Sequence, residues 1–246
     1  MDTNTLDEQT KLRIEENLAA VRAAIEKAAK EAGRDPDEIL LLAATKTVPV
    51  EQINYAAERG LTDIGENKVQ ELLAKYDGYD KEKLRIHFIG RLQKNKVKYI
   101  VDKVCLIHSL DSIPLAEEIE KQAAKRGITM DVLVEVNSGR EENKGGVLPE
   151  ELPAFLADLR RFPHVRLRGL MTIGPNLEEK SAYIKYFRET YQIFLDIFEK
   201  KPHNKEGVIL SMGMSDSFEQ AICCGSSLVR IGSAIFGKRV YTTDPT

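Results

Sequence analysis

The stretch DVLVEV, residues 131–136, carries apolar residues at consecutive positions. This pattern is typical of a parallel β-strand that is covered on both faces, because a strand with one solvent-exposed face alternates apolar and polar residues. The sequence contains seven further short runs that are rich in apolar and β-branched residues. These additional strand candidates are residues 39–45, 62–65, 85–89, 103–107, 166–171, 208–211 and 228–231.

Helical stretches alternate with these strand candidates, and several end at a glycine or proline. The stretches are residues 12–32, 50–59, 114–126, 152–161 and 181–200. Eight β/α units in 246 residues predict an α/β fold, a single-domain (β/α)₈ TIM barrel over residues 1–246. We expect the N-terminal segment, residues 1–35, to add an extra helix that packs across one end of the barrel. A doubly wound open sheet is the alternative, but the G-x-G-x-x-G fingerprint is absent after the first strand.

The composition favours a small-molecule ligand. The 36 basic and 39 acidic residues give a net charge of -3, which provides no electrostatic reason to expect nucleic acid or an anionic membrane as partner. The N-terminus lacks a secretory signal, and no segment approaches the roughly 20 apolar residues of a membrane span. Cys105, Cys223 and Cys224 form neither a disulfide framework nor a metal-ligand spacing. We therefore expect no metal site and a cytoplasmic location.

A lysine ends the first predicted strand, in LLAATKTV, residues 41–48. In a (β/α)₈ barrel the carboxyl ends of the strands surround the site, so Lys46 is a candidate functional residue. Apolar surroundings favour a neutral amine, which forms a Schiff base with an aldehyde or ketone. The alternative is a lysine whose ammonium extends past the barrel rim into solvent, and position alone does not separate the two.

Two glycine- and serine-containing loops follow the seventh and eighth predicted strands. Ser211, Gly213 and Ser215 lie before a helix predicted to open at Asp216, and Gly232 and Ser233 follow the last strand. Many barrels bind phosphate at these loops through backbone N–H groups, hydroxyls and a helix N-terminus. The alternative is that these are only turn and capping residues. Two such loops together with a carbonyl-reactive lysine favour a phosphorylated aldehyde as ligand.

The chain resembles the pyridoxal phosphate homeostasis proteins, also called the YggS or PROSC family. The resemblance covers nearly the whole chain as an ordered series of motifs: ATKTVP around Lys46, DIGENKVQE at 63–71, HFIGRLQKNK at 87–96, EVNSGREENKGG at 135–146, RGLMTIGP at 168–175, and the closing SMGMSDSFEQAI and VRIGSAIFG. It implies a barrel of the alanine racemase N-terminal type, similar to PLP fold type III, that binds pyridoxal 5'-phosphate (PLP).

The resemblance also implies roles for individual residues. Lys46 would form the Schiff base, and Arg230 would face the pyridine nitrogen of PLP. A guanidinium is effectively always protonated and cannot accept a proton, so it keeps the ring neutral. A structural ion pair is the alternative for Arg230. The cofactor-binding set that we predict is Lys46, Asn67, Ser211, Ser215, Arg230, Gly232 and Ser233, with Ser215, Gly232 and Ser233 at the phosphate.

Other polar residues allow two interpretations. Asn67 either reaches the cofactor ring oxygen or caps the following helix. His87 is interpreted as a hydrogen-bonded core histidine. The lysines at 94, 96 and 98 form a basic cluster that is either a solvated face or a second phosphate or PLP site, and Lys144 lies in a rim loop to which the sequence assigns no role.

These features together predict a PLP-binding protein that buffers or delivers the cofactor without turnover of its own. The expected partners are PLP and, transiently, apo PLP-dependent enzymes, and the chain is expected to be a monomer. One alternative is a PLP-dependent racemase or decarboxylase, but racemisation needs a second acid/base and the segment after Gly237 is short. Another alternative is a class I aldolase that uses Lys46 on a sugar phosphate.

Overall fold

The structure, a computed structural model, describes residues 6–141, 144–174, 182–198 and 208–237. Eight parallel strands follow one another in sequence order around a closed barrel. The strands are β1 (Leu40–Ala44), β2 (Asp63–Glu66), β3 (Arg85–Phe88), β4 (Leu106–Leu110), β5 (Met130–Glu135), β6 (Val165–Met171), β7 (Ile209–Ser211) and β8 (Leu228–Ile231). The predicted (β/α)₈ barrel is confirmed. The open-sheet alternative is wrong, because β1 pairs with β8 from Leu40↔Leu228 to Ala43↔Ile231.

Helices connect the strands and cover the outside of the barrel. In chain order they are α1 (Glu8–Glu31), α2 (Val50–Glu58), α3 (Val69–Lys75), α4 (Val97–Ile100), α5 (Ile113–Arg126), α6 (Leu152–Leu159), α7 (Tyr183–Phe198), α8 (Phe218–Cys223) and α9 (Ser233–Phe236). The predicted helix 181–200 corresponds to α7, and positions 181, 199 and 200 lie outside the described residues. No helix in the described ranges is both long and apolar enough to cross a bilayer.

The fourth strand differs from its predicted position. The apolar run at 103–107 predicted a strand there, but β4 begins at Leu106 and continues to Leu110. The amides of Lys103 and Val104 donate to the carbonyl of Ile100, so these residues close the last turn of α4. The strand continues instead through two polar residues, His108 and Ser109, which are fully buried. A pattern of apolar residues does not reveal a strand whose buried positions are polar.

Helix α1 takes the position of an outer barrel helix. Its apolar face, which includes Ile14, Leu18 and Val21, packs against α2, α8 and α9, and does not lie across an end of the barrel as expected. Helix α9, which follows β8, has only four residues in the described part of the chain. Helix α1 therefore fills the place in the ring between α8 and α2. The side chain of Asn17 fixes it by donating to the carbonyl of Ile235 at 3.0 Å.

Strand β6 contains a glycine that the barrel wall requires. The β5–β6 register shifts at this point, so that Val132 pairs with Leu167 and Leu133 with Gly169. Gly169 has a φ of +143°, and a Cβ atom there would lie 1.8 Å from the carbonyl oxygen of Ile209 in β7. Only a residue without a side chain allows β6 and β7 to pair here.

We therefore expect Gly169→Ala to lower the free energy of unfolding by about 3 kcal/mol or more, since it adds both backbone strain and a clash. Chemical denaturation measures this loss. Gly127→Ala is the matched control, because Gly127 also has a positive φ of +65° but open space around its Cβ position. The control should lose about 1 kcal/mol. Equal losses in the two variants would contradict the close approach of β6 and β7.

Candidate functional site

A cavity of about 540 Å³ opens at the carboxyl ends of β1 and β8, beside the loop after β7. Five of the predicted site residues line it: Lys46, Ser215, Arg230, Gly232 and Ser233. The structure thus brings together residues from both ends of the sequence. The cavity is also lined by Arg13 of α1 and Gln52 of α2, which the sequence did not single out.

The backbone on either side of Lys46 is held by side chains of the β2–α3 region. Thr47 has a φ of +65°, which is unfavourable for a β-branched residue. Its amide donates a hydrogen bond to the carboxylate of Glu71. On the other side, the carbonyl of Thr45 accepts from Nζ of Lys75 at 3.0 Å. These contacts hold a strained turn in place, and the turn directs Lys46 from the end of β1.

A buried carboxylate lies at the centre of this anchor. Glu66, at the end of β2, is fully buried, and its Oε1 accepts hydrogen bonds from Thr45 Oγ1 at 2.7 Å, Tyr79 OH at 2.8 Å and Lys75 Nζ at 3.1 Å. Burial, followed by the charge of Glu66, raises the pKa of Tyr79, so the phenol remains a proton donor. Nζ of Lys75 also donates to Glu71 at 2.6 Å. One ammonium therefore serves both carboxylates and the Thr45 carbonyl.

The loops after β7 and β8 are joined to each other and to β1. The amide of Gly232 donates to Ser215 Oγ at 3.3 Å, and the amide of Arg230 donates to the carbonyl of Gly213 at 3.0 Å. A Cβ atom at Gly232 would lie 2.9 Å from the carbonyl oxygen of Ala44, so glycine is needed for the loop to approach β1 closely. Helix α8 begins at Phe218 with Ser217 as its N-cap residue, two residues later than the predicted start at Asp216.

Arg230 is buried and contributes its guanidinium to the cavity. Its Nη1 donates to Ser211 Oγ at 2.6 Å and its Nη2 donates to the carbonyl of Thr172 at 2.9 Å. These are neutral partners, in contrast to the ion pair considered as the alternative. Burial lowers the pKa of Arg230 to about 10, and the charge of Glu135 opposes this shift. The arginine is therefore held rigidly while it remains cationic at neutral pH.

Two members of the predicted cofactor-binding set lie away from this cavity. Ser211 is fully buried and contacts Arg230 and His108, so it supports the arginine from within the barrel. Asn67 lies beside a second cavity of about 750 Å³, which Lys94 and Lys96 also line. Its Oδ1 is buried without a hydrogen-bond partner, and the N-cap residue of α3 is Lys68. The capping alternative for Asn67 is therefore wrong, and its contact with the cofactor ring stays a prediction.

The remaining polar candidates form local contacts. His87 is a buried, hydrogen-bonded core residue, as predicted, and contacts Asp63 and His108. Lys96 and Lys98 lie at 6.0 and 4.9 Å from the ring centre of Tyr99. Lys144 forms an ion pair with Glu141 and donates to the carbonyl of Gly174 at 3.3 Å. No cluster of three or more metal-binding side chains occurs in the described ranges.

We expect Lys75→Met to lower the free energy of unfolding by about 3–5 kcal/mol, because it leaves Glu66 as an uncompensated buried charge. Lys30→Met is the matched control, since Lys30 pairs with Glu26 at the surface and should change stability by less than about 0.5 kcal/mol. The double variant Glu66→Gln/Lys75→Met should recover part of the loss. Chemical denaturation compares the variants, and equal effects of Lys75→Met and Lys30→Met would contradict the buried anchor.

Comparisons with known proteins place the chain in a family. The alanine racemase N-terminal domain matches residues 13–240. A protein of Aquifex aeolicus (strain VF5) named pyridoxal phosphate homeostasis protein is 47% identical over 226 residues, which cover 92% of this chain and 98% of that protein. The crystal structure of a protein from Bifidobacterium adolescentis matches with a TM-score of 0.87 at 34% identity. The match covers 95% of this chain and 98% of the Bifidobacterium chain. PipY of Synechococcus elongatus PCC7942, in a structure with PLP bound, has a TM-score of 0.77 at 28% identity, with 91% of this chain and 100% of PipY covered.

Proposed function

Because the chain belongs to the pyridoxal phosphate homeostasis protein family, we propose that it binds PLP through a Schiff base on Lys46 and takes part in intracellular PLP homeostasis. The observation that carries this proposal is the shared cavity, in which Lys46 lies with Ser215, Gly232 and Ser233 and with the guanidinium of Arg230. PLP supplies an aldehyde that reacts with an amine, a phosphate and a pyridine ring. The cavity offers a suitable group to each of these three parts.

The phosphate is the part of PLP that the loops after β7 and β8 fit. Ser215 and Ser233 provide hydroxyl groups. The Gly232 amide donates to Ser215 Oγ, and a bound phosphate oxygen would compete with this hydroxyl for the amide hydrogen. Ser233 is the first residue of α9, so its N–H group has no partner within the helix. Arg13 and Arg230 add positive charge to the same cavity. Hydrogen bonds to an ionised phosphate are stronger than neutral ones.

Arg230 is the group that fits the pyridine nitrogen. Its two hydrogen bonds to Ser211 and Thr172 fix the guanidinium without neutralising it. A fixed cation that cannot accept a proton leaves the ring nitrogen unprotonated and weakens the cofactor as an electron sink. A neutral pyridine disfavours deep carbanion stabilisation, but racemases tolerate it, so the absence of turnover is inferred from the second acid/base and not from Arg230.

PLP should bind more tightly than pyridoxal by at least about tenfold, because each charge-assisted hydrogen bond to the phosphate contributes roughly 1.5–3 kcal/mol. Ser215→Ala should weaken PLP binding and leave pyridoxal binding unchanged. Ser112→Ala, in the second cavity, is the matched control and should bind both as the unsubstituted protein does. Equilibrium titration followed by absorbance gives the affinities. Equal affinity for PLP and pyridoxal would remove Ser215, Gly232 and Ser233 from the site.

We propose that this protein buffers or delivers PLP in the cytoplasm, in transient contact with apo PLP-dependent enzymes, and does not turn over a substrate. Racemisation requires a base on one face of the substrate carbanion and an acid on the other. Lys46 supplies one face. The described residues that line the cavity include no phenol, imidazole or thiol to supply the other, and their one carboxyl group, Asp216, follows Ser215 in the loop proposed to hold the phosphate.

The PLP-loaded protein is therefore expected to show no racemisation or decarboxylation within the usual enzymatic range of about 1–10³ per second. Exchange of the α-proton for deuterium and the chirality of the common amino acids measure this directly. Turnover within that range that is abolished in Lys46→Ala would replace the carrier with a PLP-dependent enzyme. An aldolase would instead be isolated without PLP and would trap a carbonyl substrate on Lys46.

A further inference from the structure

An unbroken chain of hydrogen bonds crosses the barrel interior and ends at Arg230. Nη1 of Arg230 lies 2.6 Å from Ser211 Oγ, which lies 3.2 Å from Nδ1 of His108. The chain then continues from His108 Nε2 to His87 Nδ1 at 3.0 Å, and from His87 Nε2 to Asp63 Oδ1 at 2.8 Å. All five side chains are buried. We call Asp63, His87, His108, Ser211 and Arg230 the interior chain.

The two ends of the interior chain face different surroundings. Arg230 lines the cavity that also contains Lys46. Asp63 pairs through its Oδ2 with Nη2 of Arg85 at 2.8 Å, and the Arg85 side chain is 61% exposed. Two buried histidines thus separate a surface-accessible ion pair from the arginine of the proposed cofactor site. The function proposed above uses neither histidine.

The distances are compatible with two proton arrangements that run in opposite directions. When His87 is neutral, Arg230 donates to Ser211, the Ser211 hydroxyl donates to His108 Nδ1, His108 Nε2–H donates to His87 Nδ1, and His87 Nε2–H donates to Asp63. Adding one proton to His87 makes its Nδ1 a donor toward His108 Nε2. His108 must then carry its own proton on Nδ1 and donate to Ser211. The proton balance is a gain of one, located on His87, with a change of tautomer at His108.

Electrostatics place the extra proton on His87. Burial opposes the charged imidazolium, but the hydrogen bond to Asp63, together with the neighbouring Cys105, raises the pKa of His87 to about 9. Burial, followed by the charges of His87 and Arg230, lowers the pKa of His108, which stays neutral. The titratable and charged groups that face the interior chain are Asp63, Arg85, Cys105, Glu135 and Arg230.

We propose that the interior chain couples the protonation state of His87 to Arg230 through the tautomer of His108. With His87 protonated, Ser211 Oγ accepts from both His108 and Arg230. With His87 neutral, Ser211 donates to His108 and accepts only from Arg230, which strengthens the bond to Arg230 because hydrogen bonds in a directed chain polarise one another. His87, His108 and Ser211 are thus positioning residues for Arg230, and their effect on PLP rests on the function proposed above.

The test uses the full-length protein without PLP, labelled with ¹⁵N at its four histidines. Ring-nitrogen shifts between pH 6 and 10 distinguish protonated from bare nitrogens. We expect His87 to lose the Nδ1 proton at a midpoint above neutral pH, and His108 to move its proton from Nδ1 to Nε2 at the same midpoint. His164, which pairs with Glu120 at the surface, is the internal reference, and His164→Gln assigns its signals. A His108 tautomer that is the same before and after the His87 titration would overturn the proposal.

Asp63→Asn provides a second measurement on an isosteric variant. Loss of the Asp63 charge should lower the midpoint that the His87 titration and the His108 tautomer change share by about one pH unit or more. PLP affinity, measured between pH 6 and 10, should change in a step at the pH midpoint of the His87 titration. In Asp63→Asn this step should shift together with the His87 midpoint.

If PLP does not bind at all, the proposed function fails while the tautomer change still stands. If PLP binds with no step at that midpoint, the coupling to Arg230 is wrong. If Asp63→Asn does not fold, the titration of the unsubstituted protein decides alone.

Discussion

The pairing of β1 with β8 is the constraint on which the site depends. Hydrogen bonds from Leu40↔Leu228 to Ala43↔Ile231 close the barrel and place the turn after β1 beside the loops after β7 and β8. Lys46 comes from the first fifth of the sequence and Gly232 from its last tenth, yet both line one cavity. Glycine at 232 allows the final loop to approach the carbonyl of Ala44, so closure and site formation use the same contact. An open sheet would separate the amine from the hydroxyls that are proposed to hold the phosphate.

Polar residues inside this barrel make it different from a purely apolar (β/α)₈ core. Seven apolar side chains, including Leu42, Leu133 and Leu228, fill part of the interior. The rest holds Asp63, His87, His108, Ser211 and Arg230, each hydrogen-bonded to the next. Buried polar groups cost free energy unless they are paired, and here every link is made. The same requirement appears at the end of β2, where Lys75 pairs with the buried Glu66 beside the Lys46 turn. The first network holds Arg230 in position, and the second holds the backbone on either side of Lys46.

The sequence predicted much of this architecture because periodicity and motif order are local properties. All eight strands were found, and β4 was misplaced only because His108 and Ser109 are buried polar residues. The approach of Lys46 to the closing loops followed from barrel topology.

The position of α1 in the outer ring of helices could not be predicted, since nothing local in the sequence indicates that α9 is too short to complete this ring. Arg13 was missed for that reason. Glu66, Lys75 and Tyr79 were missed because the convergence of Thr45, Lys75 and Tyr79 on the Glu66 carboxylate depends on the folded path from β1 to the residue after the 3₁₀ turn Tyr76–Gly78. Ser211 was assigned to the cofactor from its position at the end of β7, but the inward direction of its side chain is set by the barrel.

The most direct test of the central claim is to identify the residue that carries PLP. Borohydride reduces a Schiff base to a stable secondary amine, and peptide mass mapping of the PLP-loaded, reduced protein then locates the pyridoxyl group. The site described here predicts the label on Lys46, with no pyridoxyl group at that position in Lys46→Ala. A label on Lys96 or Lys144 with Lys46 unmodified would contradict the account, because both residues lie outside the Lys46 cavity.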